Sequence, residues 1–217
     1  MANLISWINI AVVFGSIVLF GAVGETLTEK AGNLNLGTPG IMCMGGAFGF
    51  VGAYLYETSV GNPNAFMCIL VALGTAFIVS ALGGLIYSFL TTTLHANQNV
   101  TGLTLTIFGV GLGKFFGTYV IPKGAVSTKA DFATKIFRAR IPFLSDKLFS
   151  YGFMMYLALI VAICATLFLT KTRTGLNLRA VGENPATADA AGINVTKYKY
   201  LATCIGSGIT GLGGVYY

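Results

Sequence analysis

The 217-residue chain holds one histidine, four cysteines and seven carboxylates, and their spacing decides what chemistry they could perform. His95 has no Cys, Asp or Glu close to it in sequence. It forms neither a metal set nor a catalytic pair, and reads as a polar flank ahead of an apolar run. Cys43, Cys68, Cys164 and Cys204 all fall inside apolar stretches, with neither metal-site spacing nor a disulfide framework, and read as packing residues. Gly109-Val110-Gly111-Leu112-Gly113-Lys114-Phe115 is the nearest approach to a P-loop, but it lacks the first Gly at the right spacing and the Ser or Thr after the Lys. Gly206 to Gly211 spells G-x-G-x-x-G inside an apolar run without a strand before it, which reads as helix packing. Lys114 is the one ionisable group well inside an apolar run. Such groups are functional hypotheses by default, but the aromatic stretch that follows it also lets the ammonium snorkel to an interface. No catalytic residue is assigned, and no metal or cofactor is expected on this chain.

The elements that must position these residues follow from composition. The chain is 55% hydrophobic and 9% charged, with a mean hydropathy of +0.78. Apolar runs cover residues 4–24, 39–56, 65–93, 101–121, 148–169 and 200–217. Most approach or exceed the ~20 residues that cross a bilayer core. Backbone groups in lipid must be satisfied internally, and the runs are too continuous for an outer-membrane barrel, so each is read as helical. The expected fold is all-α: a polytopic transmembrane bundle of about six segments, one domain over residues 1–217. The net charge of +6 sits in loops and reads as topology and headgroup signals, not as a nucleic-acid surface. The first run has no preceding Lys or Arg and reads as a retained helix rather than a signal peptide. The last run stops at Val215-Tyr216-Tyr217 without a cap or polar flank, so the domain is expected to be incomplete at its C-terminus.

Glycine, 29 residues in all, falls inside the runs as well as in the loops, which favours close helix packing. The second run is preceded by GNLNLGTPG and contains Gly45, Gly46, Gly49 and Gly52, which makes a broken or re-entrant helix near residues 33–56 an alternative to plain packing. The pattern G-I-x-x-x-G-G-x-aromatic occurs at residues 40–48 and again at 208–216. Chance and an internal repeat both account for that echo. Basic residues nearly balance between the loop 122–147 and the segment 171–199, so charge counting does not orient the chain.

The segment 171–197 is polar and has its own punctuation. Asn184 suits an N-cap, Pro185 the first helical position, residues 186–191 are mostly helix formers, and Gly192 fits the position past the end. Seven residues span about 10 Å, and a helix that short needs something to pack against. Its methyl-rich surface suits a shallow cleft on another protein or a loop lying on the chain's own helices.

The run TGLNLRAVGENPATADAAGINV resembles the cytoplasmic loop of permease subunits of ABC importers, in the branch that handles nucleosides and simple sugars. GETLTEKAGNLNLGTPGIMCMGGAFG is similar to the N-terminal motif of the nucleoside-type permeases, HANQNVTGLTLTIFGVGLGKFF to their A-N-Q-x-V-S-G motif with Thr101 in place of Ser, and IPFLSDKLF to their external loop. The resemblance implies a protein of the cytoplasmic membrane. It further implies that residues 171–197 face the cytoplasm and dock on an ABC ATPase that carries ATP and Mg, through Arg179, Gly182, Glu183, Asn184, Pro185, Ala188 and Gly192. A second permease subunit, identical or related, and an extracytoplasmic substrate-binding protein complete the expected assembly. Five runs precede the loop. Either the N-terminus is external, or the second run does not cross, or the 29-residue third run contains a break. A neutral nucleoside would need amide, hydroxyl and aromatic partners, for which Asn33, Asn35, Asn97, Gln98, Thr101, Phe115, Phe116 and Tyr119 are the candidates, against an alternative of capping or ordinary core. Glu25, Glu29 and Lys30 are expected to pair with one another or with headgroups. An ion-driven secondary transporter and a membrane enzyme are the competing readings. The first lacks carboxylates deep in the runs, and the second lacks any convergent catalytic set.

Overall fold

A computed structural model describes residues 2–60, 64–117, 140–142 and 150–216. The helices are α1 (Ala2–Lys30), α2 (Thr38–Ser59), α3 (Ala65–Ser88), α4 (Gln98–Phe115), α5 (Phe153–Lys171), α6 (Arg173–Glu183), α7 (Pro185–Ala190) and α8 (Val195–Tyr216). The all-α expectation holds apart from one short antiparallel pair, β1 (Arg140–Pro142) with β2 (Ser150–Gly152), in which Ile141 faces Tyr151. Most of the basic loop, Tyr119 and the greater part of the IPFLSDKLF motif lie outside the described residues.

Among the described residues four helices are long and apolar enough to cross a membrane, over Trp7–Lys30, Thr38–Ser59, Phe66–Thr93 and Phe153–Lys171. The fourth and sixth runs are helical too, as α4 and α8. Their opening turns are polar, with Gln98 and Asn99 on one and Lys197 and Lys199 on the other. The second run is one continuous helix from Thr38 to Ser59, which favours plain packing over the alternative of a break near residues 33–56: the irregular backbone is confined to the turn before Thr38. Pro39 lies in the first turn, where its missing N–H is harmless, and the glycines that follow serve packing. The third run is also unbroken; its last turn widens into a π-helix over Phe89–Thr93.

The polarity of the bundle is inverted relative to a water-soluble protein. Trp7, Phe14, Val18, Ile78, Val100, Ile107 and Ile163 point outward, whereas Ser16, Thr28, Ser80, Thr203, Ser207 and Thr210 are buried. Lipid tails are as apolar as Leu, so no hydrophobic force drives the helices together, and close contact between small residues must do so. The effect is clearest between α2 and α8. A Cβ placed on Gly45 would lie 2.5 Å from Gly211 Cα, and one on Gly46 would lie 2.5 Å from Gly214 O. The two copies of the G-I-x-x-x-G-G pattern thus pack on one another. Gly24 and Gly206 make an equivalent backbone contact between α1 and α8, and Gly40 and Gly109 between α2 and α4.

Contacts at the helix ends show how the chain alternates. The C-terminus of α1 meets Gly182 of α6; the end of α2 meets the start of α3 through Glu57 and Cys68; and Thr93 at the end of α3 bonds Tyr200 at the start of α8. Tyr151, just ahead of α5, bonds Asn9 near the start of α1, and Leu169 at its other end packs beside Ala31 and Leu178. Successive long helices therefore run in opposite directions, and the start of α1 lies at the opposite end of the bundle from residues 171–197.

Gly45→Leu should lower the unfolding midpoint in detergent by an amount equivalent to about 3 kcal/mol, because the added side chain meets backbone that cannot yield. Gly15→Ala and Gly111→Ala, which meet nothing within 4 Å, should leave it unchanged or raised.

Candidate functional site: the polar hairpin and the segment beneath it

Thr172 opens α6. Its Oγ1 accepts the Gly175 N–H at 3.0 Å and donates to the Phe168 carbonyl at 2.6 Å, so the chain turns off α5 without leaving those groups unpaired. Gly175 has no room for a side chain, since a Cβ there would lie 2.8 Å from Leu169 Cα. Leu178 and Val181 are buried, and Leu178 joins Ala31 and Ala202 in a small core. The sequence reading did not identify α6. Its signal was a Thr N-cap followed by Gly175, Leu178 and Val181 at three-residue spacing.

Between α6 and α7 stands Asn184, whose Oδ1 accepts the Thr187 N–H at 3.1 Å. Pro185 occupies the first turn as expected. The helix ends at Ala190, with Ala191 as the cap and Gly192 at φ +81°. Gly192 N–H donates to Asp189 O at 2.8 Å, and Ile193 N–H to Ala188 O at 3.0 Å, the paired bonds of a Schellman ending. Ala188 turns inward and is buried, whereas Pro185, Ala186, Thr187, Asp189 and Ala190 are exposed. Glu183 and Asn184 are exposed beside them, and Arg179 is half-buried. Together these residues form a small knob of mostly short side chains with two carboxylates, Glu183 and Asp189, on its outer face.

The knob rests on α1 through backbone. A Cβ on Gly182 would lie 2.9 Å from Lys30 C and 3.1 Å from Gly32 N. Gly32 itself has φ +83°, a conformation that disfavours any side chain, and a Cβ placed on it would lie 3.3 Å from Gly182 Cα. From Gly32 the chain runs irregularly to Thr38, and side chains from four helices satisfy it. Glu25 Oε1 accepts the Asn35 N–H at 2.8 Å, and its Oε2 accepts from Thr38 Oγ1 at 2.9 Å. Tyr87 donates to Leu34 O at 2.6 Å, and Thr106 donates to Leu36 O at 3.0 Å. Gln98 accepts the Leu34 N–H at 2.8 Å and donates to Gly32 O at 3.4 Å. Asn33 Nδ2 donates to Thr203 Oγ1 at 3.1 Å, and Asn35 Oδ1 accepts the Gly37 N–H at 2.9 Å.

Of the solute-pathway candidates, Asn33, Asn35, Gln98 and Thr101 come together around this segment. Asn33 and Asn35 are almost wholly buried, and their amides, like that of Gln98, engage the framework. Asn97 is exposed and caps α4, accepting from Asn99 and Val100 N–H. Phe115 stands apart, about 25 Å along α4 from Gln98, and is half-exposed with its edge toward Phe116. Lys114 is exposed in the last turn of α4. The expected pairing of Glu25 with Glu29 or Lys30 is corrected, because its carboxylate instead anchors the segment. Sequence reasoning missed Glu25, Tyr87, Thr106 and Thr203 in this role, since partners separated by 10 to 170 residues leave no local pattern. Among the described residues no group of three His, Cys, Asp or Glu could hold a metal ion.

A family model described as branched-chain amino acid transport system / permease component matches residues 6–217. A putative glucose ABC transporter permease protein of Haloferax volcanii is 32% identical over 96% of this chain and 61% of its own length. A nucleoside ABC transporter permease protein of Lactococcus lactis is 28% identical over 94% of the chain, and a guanosine ABC transporter permease protein of Bacillus subtilis 27% over 94%; each match covers 64% of the relative. The chain thus spans less than two thirds of the length of these curated relatives. No solved structure matches the chain.

Asn184→Ala should cost about 1 kcal/mol of local stability, read as faster hydrogen exchange at the amides of Thr187, Ala188 and Ile193, and Asn184→Asp should restore protection. Gly192→Ala should cost about as much again, because it forces a side chain into a left-handed backbone.

Proposed function

Because the chain belongs to the branched-chain amino acid transport system / permease component family, we propose that it forms the membrane pathway of an ATP-driven importer and that its solute is a nucleoside. It is a multi-pass integral protein of the plasma membrane. One observation carries the mechanistic part of the reading: α7 is doubly capped and exposed, and α6, which leads directly into it, meets the end of a transmembrane helix backbone to backbone at Gly182. An independently moving loop would not need Gly182 against Gly32. A knob that transmits displacement would.

In this reading the knob enters a cleft on a cytoplasmic ABC ATPase, which binds ATP and Mg and performs the hydrolysis. The permease itself is non-catalytic. The alternation of the helices then puts the start of α1 outside the cell. A second permease subunit encloses the pathway, and an extracytoplasmic binding protein delivers the solute. Asn33, Asn35 and Gln98 build the wall of the pathway rather than touch solute, which leaves Asn97, Thr101 and Phe115 as the candidates to line it. Glu25 lies within a candidate span, yet both its oxygens accept bonds from the segment, so it acts as an anchor and not as an ion site.

The nucleoside assignment is supported by the motifs at residues 24–49 and 95–116 and by the nucleoside and guanosine relatives. A simple sugar is the second reading, favoured by the glucose permease at 32% identity. With the full-length permease, its ATPase and its binding protein in proteoliposomes, guanosine uptake should require internal ATP, survive collapse of ion gradients, and resist competition by glucose. Uptake abolished by an ionophore with ATP present would overturn the importer reading, and glucose competition would move the solute to sugars. Ala186→Trp, on the exposed face of α7, should weaken ATPase association at least tenfold, about 1.4 kcal/mol, while the unfolding midpoint stays near wild type.

A further inference from the structure

We infer that residues 32–38 are the rigid link by which the polar hairpin displaces α4, with Gln98 the positioning residue that fastens α4 to the link. The inference rests on the reading of α6 and α7 as the ATPase-facing hairpin.

A link transmits motion only if it has no slack at either end and none within. At the hairpin end, Gly182 and Gly32 meet backbone to backbone, with Gly182 also against Lys30, so no side chain can change rotamer and absorb a displacement. Within the link, the N–H groups of Asn35 and Gly37 and the carbonyls of Leu34 and Leu36 are each held by a named side chain. A local rearrangement would break several of these bonds at once, and each buried group it orphaned would cost about 1–3 kcal/mol. At the far end, α4 is joined to the link in three places along successive turns. Gln98 holds both Gly32 O and Leu34 N–H; Gly102 lies under Leu36, where a Cβ would fall 2.7 Å from its N; and Thr106 holds Leu36 O.

The position of α4 explains why it would be the element moved. It packs on α2 through Gly40 against Gly109 and Cys43 against Gly113, while Val100, Leu103 and Ile107 face outward from the bundle. It is a peripheral helix held by α2, by the link and, to a lesser extent, by the end of α3 and the π-turn after it. Glu25, Tyr87 and Asn33 tie the same link to α1, α3 and α8, so the link moves as one piece with the helix ends around it and α4 follows through its three attachments. Gln98 is the one side chain that spans two peptide groups of the link with both ends of its amide. Its loss would let α4 and the hairpin move independently while the rest of the network stayed intact.

The test uses the full-length permease assembled with its ATPase in proteoliposomes. Spin labels at Leu176 on the hairpin, away from the docking face of α7, and Thr104 on α4, both exposed, report whether the two elements move together when ATP is added. In wild type the 104-to-176 distance should stay fixed through the cycle. In Gln98→Ala it should change on ATP addition, and solute moved per ATP hydrolysed should fall about fivefold or more, with the complex still assembled. Gln98→Glu keeps an acceptor for the Leu34 N–H and should recover a large part of the coupling. Thr106→Val, which removes only the tether to Leu36, should give a smaller loss in the same direction and stands in if Gln98→Ala does not assemble. A Gln98→Ala complex with the wild-type ratio of transport to hydrolysis and a fixed 104-to-176 distance would overturn the link while leaving the hairpin reading standing. A wild-type hairpin that neither binds nor stimulates the ATPase would overturn both.

Discussion

Between Lys30 and Thr38 the chain leaves one helix and has not begun the next, and its peptide groups must find partners where lipid and packed helices offer none. Most of the structure at this end of the bundle answers that constraint. The Glu25 carboxylate, which would be costly to bury bare, is stabilised by the Asn35 N–H and the Thr38 hydroxyl. In the same bonds it fixes where α2 starts. Tyr87, Gln98, Thr106 and the Asn35 amide pair further groups of the segment, and the Asn33 amide ties it to Thr203, so the ends of α1, α3, α4 and α8 are located by reference to one stretch of backbone. Irregular backbone at membrane depth is tolerated only when it is enclosed by protein in this way.

Deeper in the bundle the constraint changes to steric fit. With apolar residues outside and hydroxyls inside, the helices gain nothing from excluding lipid and depend on how closely their axes approach. Gly45 against Gly211, Gly46 against Gly214 and Gly24 against Gly206 place backbone on backbone. Ser80, lying between α2 and α8 within reach of both Gly45 and Gly211, donates to Ile41 O at 3.3 Å. α2 is the most enclosed of the candidate spans, with 44% of its most apolar stretch buried against 11% for α5. That difference accounts for the glycine content of one and the bulky aliphatic content of the other.

The polar hairpin obeys a third logic, that of an element stabilised locally and then seated. Thr172 and Asn184 cap α6 and α7, Gly192 ends α7, and Ala188 with Leu178 and Val181 turns inward. These features make the hairpin stiff, and the seat on Lys30 and Gly32 makes its position a property of the transmembrane helices. Stiffness and seating together are what a transmitting element needs; either alone would give a decorated loop.

Much of this was written locally. Apolar run lengths determined where long helices form, because a backbone in lipid has only intrahelical partners. Asn184, Pro185 and Gly192 determined α7 almost to the residue, because caps act on groups two to four positions away. Other features had no local signal. The continuity of α2 could not be told from a break, since glycine serves close packing and irregular backbone equally, and only the helices that press against Gly45, Gly46 and Gly49 decide between them. Helix α6 was obscured because its apolar positions are few and acquire meaning only beside Ala31 and Ala202. The tertiary structure alone decided that Glu25 is an anchor, that Asn33, Asn35 and Gln98 hold backbone, and that the start of α1 lies opposite the hairpin. Each of those depends on side chains meeting partners far away in the chain, and one-dimensional order does not encode such meetings.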